Sequence, residues 1–196
     1  MKRIAWVLLA AAAVWLGGCV LTSVYPYYSE KDVVFEPALA GDWLHHAKDA
    51  PDELWEFWAD SGARSYSFMR VEPRNATTQI MDAHLFKLQG QLFLDIATRE
   101  QDYQLIPSHY LLKVSRIAPT LRVSLLDHQW FQSLLATNPA AIRHHFVKTG
   151  DKPEERRVVL TADTAELQDF IVRHLKTEGM WQESFELTRA TADTAK

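Results

Sequence analysis

His84 and Asp95 are the residues whose types and placing most directly suggest chemistry. They lie in two β-patterned runs, residues 77–88 and 91–97, joined by the turn Gln89-Gly90. That register sets His84 opposite Asp95, with Asp82 on the diagonal. A carboxylate beside an imidazole fixes its tautomer and raises its pKa, which general-base catalysis exploits. The nucleophile for such a base is missing, because the chain has no Gly-x-Ser-x-Gly elbow. Cross-strand His–Asp pairs on a polar sheet face are also, in most proteins, simple surface contacts. The eight histidines raise a metal question. His45-His46 and His144-His145 are adjacent pairs, and neighbours on a strand point to opposite faces, so neither chelates alone. No His-x-His or His-x-x-x-His occurs, and no metal or cofactor is expected. Trp55, Phe57, Tyr66 and Phe68 form the other candidate group, an aromatic ladder across a second hairpin. Such a ladder can line a ligand cavity inside a curled sheet, although ladders of this kind more often form plain core.

The elements that must position these residues are mostly strands. Residues 53–59 and 64–71 flank the turn cluster Asp60-Ser61-Gly62-Ala63, which predicts Phe57 opposite Tyr66, Trp55 opposite Phe68 and Glu53 opposite Arg70. In the next hairpin Phe86 should face Phe93 and Leu85 face Leu94. Met81, Ala83, Leu85, Leu92, Leu94 and Ile96 then make an apolar face, and Asp82, His84, Phe86, Phe93 and Asp95 the other. A third hairpin, residues 108–117 and 120–126 around Ala118-Pro119, sets Leu112 and Val114 against Leu125 and Val123, with Lys113 and Ser115 facing solvent beside Ser124 and Arg122. Two helices follow. Asp127 is a natural N-cap for 128–137, stopped by Asn138-Pro139, and Asp163-Thr164-Ala165-Glu166 reads as a capping box for a helix to about Lys176. Short strands near 142–147, 158–160 and 181–187 complete the pattern. The architecture predicted is a mainly β (α+β) domain, an antiparallel meander of about nine strands curled toward a barrel, with two short C-terminal helices.

The N-terminus sets the cellular context. Lys2 and Arg3 precede an apolar run from Ile4 to Leu16, which ends at Gly17-Gly18-Cys19. The run suits a signal-peptide core and falls short of the roughly 20 residues a membrane-spanning helix needs. Residues 1–18 are therefore expected to be a signal peptide, 19–40 a tether, 41–190 one β-rich globular domain and 191–196 a frayed tail. Within the tether, the tyrosines of Tyr25-Pro26-Tyr27-Tyr28 suit a membrane interface, and the alternative is that this segment packs on the domain. Of 21 basic and 25 acidic residues, removal of 1–18 takes only Lys2 and Arg3, leaving a net charge of −6. No run of Lys or Arg marks a nucleic-acid surface, and none is expected as a partner. Cys19 is the single cysteine, so stability must come from packing rather than disulfides.

Leu16-Gly17-Gly18-Cys19 resembles the bacterial lipobox. That resemblance implies cleavage before Cys19, a diacylglycerol thioether on its sulfur and a third acyl chain, such as palmitate, on the new amino terminus. Each buried methylene contributes about 0.8 kcal/mol, so several chains hold a protein stably on a membrane. Val20, where an Asp would signal retention, resembles the outer-membrane sorting pattern of enteric bacteria, and the expected location is the outer membrane facing the periplasm. Gly41-Asp42-Trp43 resembles the Gly-x-Trp of lipocalin-like barrels, in which an arginine of the last strand often covers the tryptophan; Arg189 is placed to do so. Tyr25-Pro26-Tyr27-Tyr28 followed by Gly41-Asp42-Trp43 also resembles small uncharacterised envelope lipoproteins. Three functions follow as expectations. The first is a non-enzymatic binding or structural role at the membrane, toward another envelope protein. The second is a lipocalin-like carrier or sensor of a small lipophile, with Trp55, Phe57, Tyr66 and Phe68 against the ligand. The third is a hydrolase-like enzyme using His84 and Asp95.

Overall fold

The computed structural model of the chain describes residues 21–46, 52–71, 79–99, 108–148 and 156–190. The expected signal peptide, Cys19 and the tail 191–196 lie outside the described residues. Eleven strands and two helices form among them, against the nine or so strands the pattern suggests. They are β1 (Thr22–Ser23), β2 (Gly41–His45), β3 (Glu53–Asp60), β4 (Ser65–Val71), β5 (Ile80–Leu88), β6 (Gln91–Thr98), β7 (His109–Arg116), β8 (Leu121–Leu125), α1 (His128–Thr137), β9 (His144–Lys148), β10 (Arg156–Leu160), α2 (Thr164–His174) and β11 (Phe185–Arg189).

The strands from β2 to β8 run up and down in order, each antiparallel to the last. β11 then fits between β8 and β2 and closes an eight-stranded, lipocalin-like barrel. Period-2 alternation sends Trp43, Phe57, Tyr66, Leu85, Leu94 and Val123 into one core inside it, each at most 1 % exposed. The insertion between β8 and β11 carries α1, β9, β10 and α2. It packs Phe131, Phe170 and Ile171 against Phe86, Phe93 and Leu111 on the outer face of the barrel, making a second core. Part of the outer faces of the second and third hairpins is thus covered. Asp95 and Ser124 are buried there, and Lys113 lies 4.9 Å over the Trp181 ring. This corrects the expectation of a solvated side for Lys113 and Ser124, while Ser115 and Arg122 are exposed as expected: a strand cannot show that a later segment returns to cover it.

The second hairpin has the expected register, with Phe86 opposite Phe93, Leu85 opposite Leu94 and His84 opposite Asp95. In the third, Leu112 faces Leu125 and Val114 faces Val123, but an irregularity between Val114 and Arg116 pairs Arg122 with Arg116, not with Ser115. The first hairpin is slipped by two residues. Phe57 pairs with Phe68, Trp55 with Arg70 and Ala59 with Tyr66. The cause is the turn. Asp60 stays in the strand and its Oδ1 accepts from Gly62 and Ala63 N–H, each at 3.0 Å, while Arg64 takes the left-handed conformation at φ 54°. A slip of two leaves every side chain on its expected face.

Both helix starts behave as the sequence suggests. Asp127 accepts from Trp130 N–H at 2.7 Å and Asp163 from Glu166 N–H at 3.0 Å. The capping box of α2 is only half formed, because Glu166 accepts from Arg143 N–H at 3.0 Å instead of reaching back to the cap. Residues 21–40 follow the packed alternative. Leu21, Tyr27, Val33 and Leu39 are buried, β1 lies parallel to β10, and Val34 N–H donates to Leu85 O at 2.9 Å.

Candidate functional site

The two ends of the barrel differ. One end holds the turns 61–64, 89–90 and 117–120, and the segment 34–40 closes it. Trp43 Nε1 donates to Leu39 O at 2.9 Å. The Arg189 guanidinium lies 3.8 Å over the Trp43 ring and donates to Ala40 O at 2.6 Å and to Ala38 O. Gly41 has φ +111°, and a Cβ there would come within 2.5 Å of Arg189 Nη1, so the glycine of Gly-x-Trp makes room for the arginine. Phe35 stacks on Tyr66 at 5.3 Å, and the Tyr66 hydroxyl accepts from Glu36 N–H at 2.8 Å. This end is sealed.

At the other end lie the ends of β2, β4, β6 and β8 and the starts of β3, β5, β7 and β11; residues 47–51, 72–78 and 100–107 of its connections lie outside the described residues. Interior-facing side chains here are only partly buried: Met81, Tyr110, Leu125 and Phe185. Phe185 meets Trp55 edge-on at 5.8 Å, and Trp55 meets Phe68 edge-on at 5.3 Å. The Trp55 indole N–H is buried with no hydrogen-bond partner among the described residues. The aromatic ladder thus divides. Phe57, Tyr66 and Phe68, at 1–2 % exposure, are core, and Trp55 alone reaches the looser end.

A polar cluster sits on the same interior face at this mouth. Arg70 grips Glu53 with both arms, Nε to Oε2 at 3.0 Å and Nη2 to Oε1 at 2.8 Å, and His45 Nδ1 stands 3.9 Å from Oε2. The Glu53–Arg70 partnership predicted from sequence is present, on the diagonal. Burial pushes the Glu53 carboxyl up, but His45 and Arg70 more than reverse this and bring it down to about 2. Its folded value lies below the ordinary 4.5, so the stabilisation is fully present above 4.5 and drains away as pH falls through about 2. Urea midpoints measured down this window should fall less steeply for Glu53→Gln than for the parent chain. Parallel slopes would show that this pair does not govern the acid limb.

His84 and Asp95 meet as strand partners, but their side chains go elsewhere. Asp95 is fully buried, accepts from Tyr27 N–H at 2.8 Å, and its second oxygen is 2.8 Å from His109 Nδ1. His84 stacks on Tyr28 at 4.4 Å, and burial lowers its pKa despite the pull of Asp95 and Asp82. Asp82 pairs with Arg99 at 2.6 Å. The imidazole that Asp95 orients is therefore that of His109, which the sequence did not single out. Its one signal was a position diagonal to Asp95 on β7. Ser23 is the cross-strand partner of His109, yet it is 1 % exposed and its hydroxyl accepts from Tyr25 N–H at 3.2 Å. Among the described residues no cluster of three metal-ligating side chains occurs.

The chain matches no family model, no curated protein and no solved structure, so the strand order, the closure and the Gly41–Trp43–Arg189 arrangement are what make the barrel lipocalin-like.

Proposed function

We propose that this protein is a lipocalin-like binding protein that takes a small lipophile at the mouth of its barrel, held at the bacterial envelope by a lipidated Cys19. The carrying observation is that residues 34–40 plug one end of the barrel, while partly buried Met81, Tyr110, Leu125 and Phe185 line the other. Ligand sites are concave and mostly apolar with a few placed polar groups, and Trp55, Phe185 and Met81 beside Glu53 and Arg70 have that character. The site is shallow. Phe57, Leu85 and Leu94, each at most 1 % exposed, fill the barrel beneath it.

Native mass spectrometry of the Cys19→Ser chain, recovered from a periplasm without denaturation, tests the binding half. A reproducible added mass that leaves on organic extraction, and whose occupancy falls in Phe185→Ala, is the expected result. A bare mass together with no uptake of added lipophiles would overturn it and move the weight to an envelope protein as partner. For the anchor, labelled palmitate should enter the parent chain and not Cys19→Ser, with the variant released from the membrane fraction. Equal labelling of both would remove Cys19 as the attachment point.

A further inference from the structure

Four tryptophans, Trp43, Trp55, Trp130 and Trp181, have rings packed into the two cores, and Trp43 and Trp181 have used their N–H groups. Trp43 donates to Leu39 O at 2.9 Å and Trp181 to Leu175 O at 3.3 Å. Trp55, 7 % exposed, has no acceptor among the described residues although its Nε1 is buried. Buried donors are almost always satisfied, so one left over inside a barrel needs an account. The neighbouring acid does not supply it. Both Glu53 oxygens are engaged by Arg70, at 2.8 and 3.0 Å.

We infer that the mouth ligand is a neutral amphiphile whose carbonyl oxygen accepts from Trp55 Nε1–H; this rests on the mouth-binding reading above and specifies its chemistry. The donor is single and uncharged, which matches one carbonyl acceptor of an ester, amide or ketone. Charge argues in the same direction. Glu53 is ionised and its charge is answered by Arg70 within the pair, so the cluster offers no uncommitted cation to a carboxylate head and sets Glu53 against it. The apolar portion lies against Phe185 and Met81 at the rim, since Phe57 and Leu94 close the depth of the barrel.

The test uses the full-length Cys19→Ser chain and three matched probes: methyl decanoate, decyl methyl ether and decanoate. Affinities come from native mass spectrometry or titration of tryptophan fluorescence. The indole N–H signal of Trp55 is followed by ¹⁵N NMR as a readout independent of any variant. The expected result is that the ester binds about tenfold tighter than the ether, the worth of one recovered buried hydrogen bond, and shifts the Trp55 indole signal downfield. Trp55→Phe should bring the ester down to the ether, so that the ratio of the two affinities measured in that variant falls to about one. Equal ester and ether affinities, or an indole signal unmoved by the ester, would overturn the inference while the mouth reading stands. Tighter binding of decanoate than of the ester would overturn the neutral head. Binding of none of the three would overturn the mouth reading itself, and this inference with it. Uptake of the ester from bilayer vesicles of the same lipid class, but not from solution, would overturn a freely diffusing ligand and place the same carbonyl on a membrane lipid.

Discussion

Replacing Trp43 by alanine should cost the barrel about 4 kcal/mol, the range of tryptophan truncations in a close-packed core. Three losses coincide there. The ring is fully buried, its N–H holds Leu39 O, and Arg189 lies over its face while donating to Ala38 O and Ala40 O. Without the ring, the plug loses its hydrogen bond and the guanidinium loses its platform. Trp43→Phe keeps the apolar body, and Arg189→Met keeps the stem over the ring; each should cost about 1–2 kcal/mol. Equilibrium urea unfolding of the three variants separates the contributions. If Trp43→Ala falls no further than Trp43→Phe, packing of the ring is not what holds the closed end.

Asp95→Ala comes second, at about 3 kcal/mol. The substitution strands the Tyr27 N–H and His109 Nδ1 in a buried site, and leaving buried hydrogen-bonding groups without their partner costs far more than losing a surface contact. Asp82→Ala is the control, since Asp82 binds Arg99 with its side chain 47 % exposed and should change stability by under about 1 kcal/mol. The same unfolding measurement checks both, and amide exchange at Tyr27 should quicken only in Asp95→Ala. Equal costs would mean that Asp95 is not a structural keystone of the N-terminal segment.

Much of the barrel was legible because its strands alternate. Phe86–Phe93, Leu85–Leu94 and Leu112–Leu125 fall in the predicted register, since a one-residue slip would have turned apolar side chains outward. The first hairpin escaped by two residues because a slip of two costs nothing in facing, and only the Asp60 side chain and the left-handed Arg64 choose between the registers. Helix starts were legible from Asp127 and Asp163, where one short side chain makes the cap. The site was legible only in part. Trp55, Phe68 and the Glu53–Arg70 pair are local to one hairpin, whereas His45, Phe185 and His109 arrive from elsewhere in the chain. His84 and Asp95 illustrate the limit of pairing logic: strand partners share a row, but Tyr27 and His109 reach the carboxylate from segments 68 and 14 residues away.

The way Ala38 and Ala40 meet Arg189 at the plugged end bears on when the protein can fold. Arg189, on the last strand, joins Ala38 and Ala40 across 151 and 149 residues, and Thr164 reaches Pro26 O across 138. A ribosome releasing this chain from its N-terminus therefore delivers seven barrel strands before the eighth exists to close them. Contacts of such sequence separation are slow to form. Until β11 emerges, the edges of β2 and β8 stay unpaired and open to other chains. The folding unit is the whole stretch from β1 to β11. A chaperone that shields open sheet edges during synthesis would find its longest task here, and trimming the chain before Phe185 would remove β11 and leave a sheet that cannot close into a barrel.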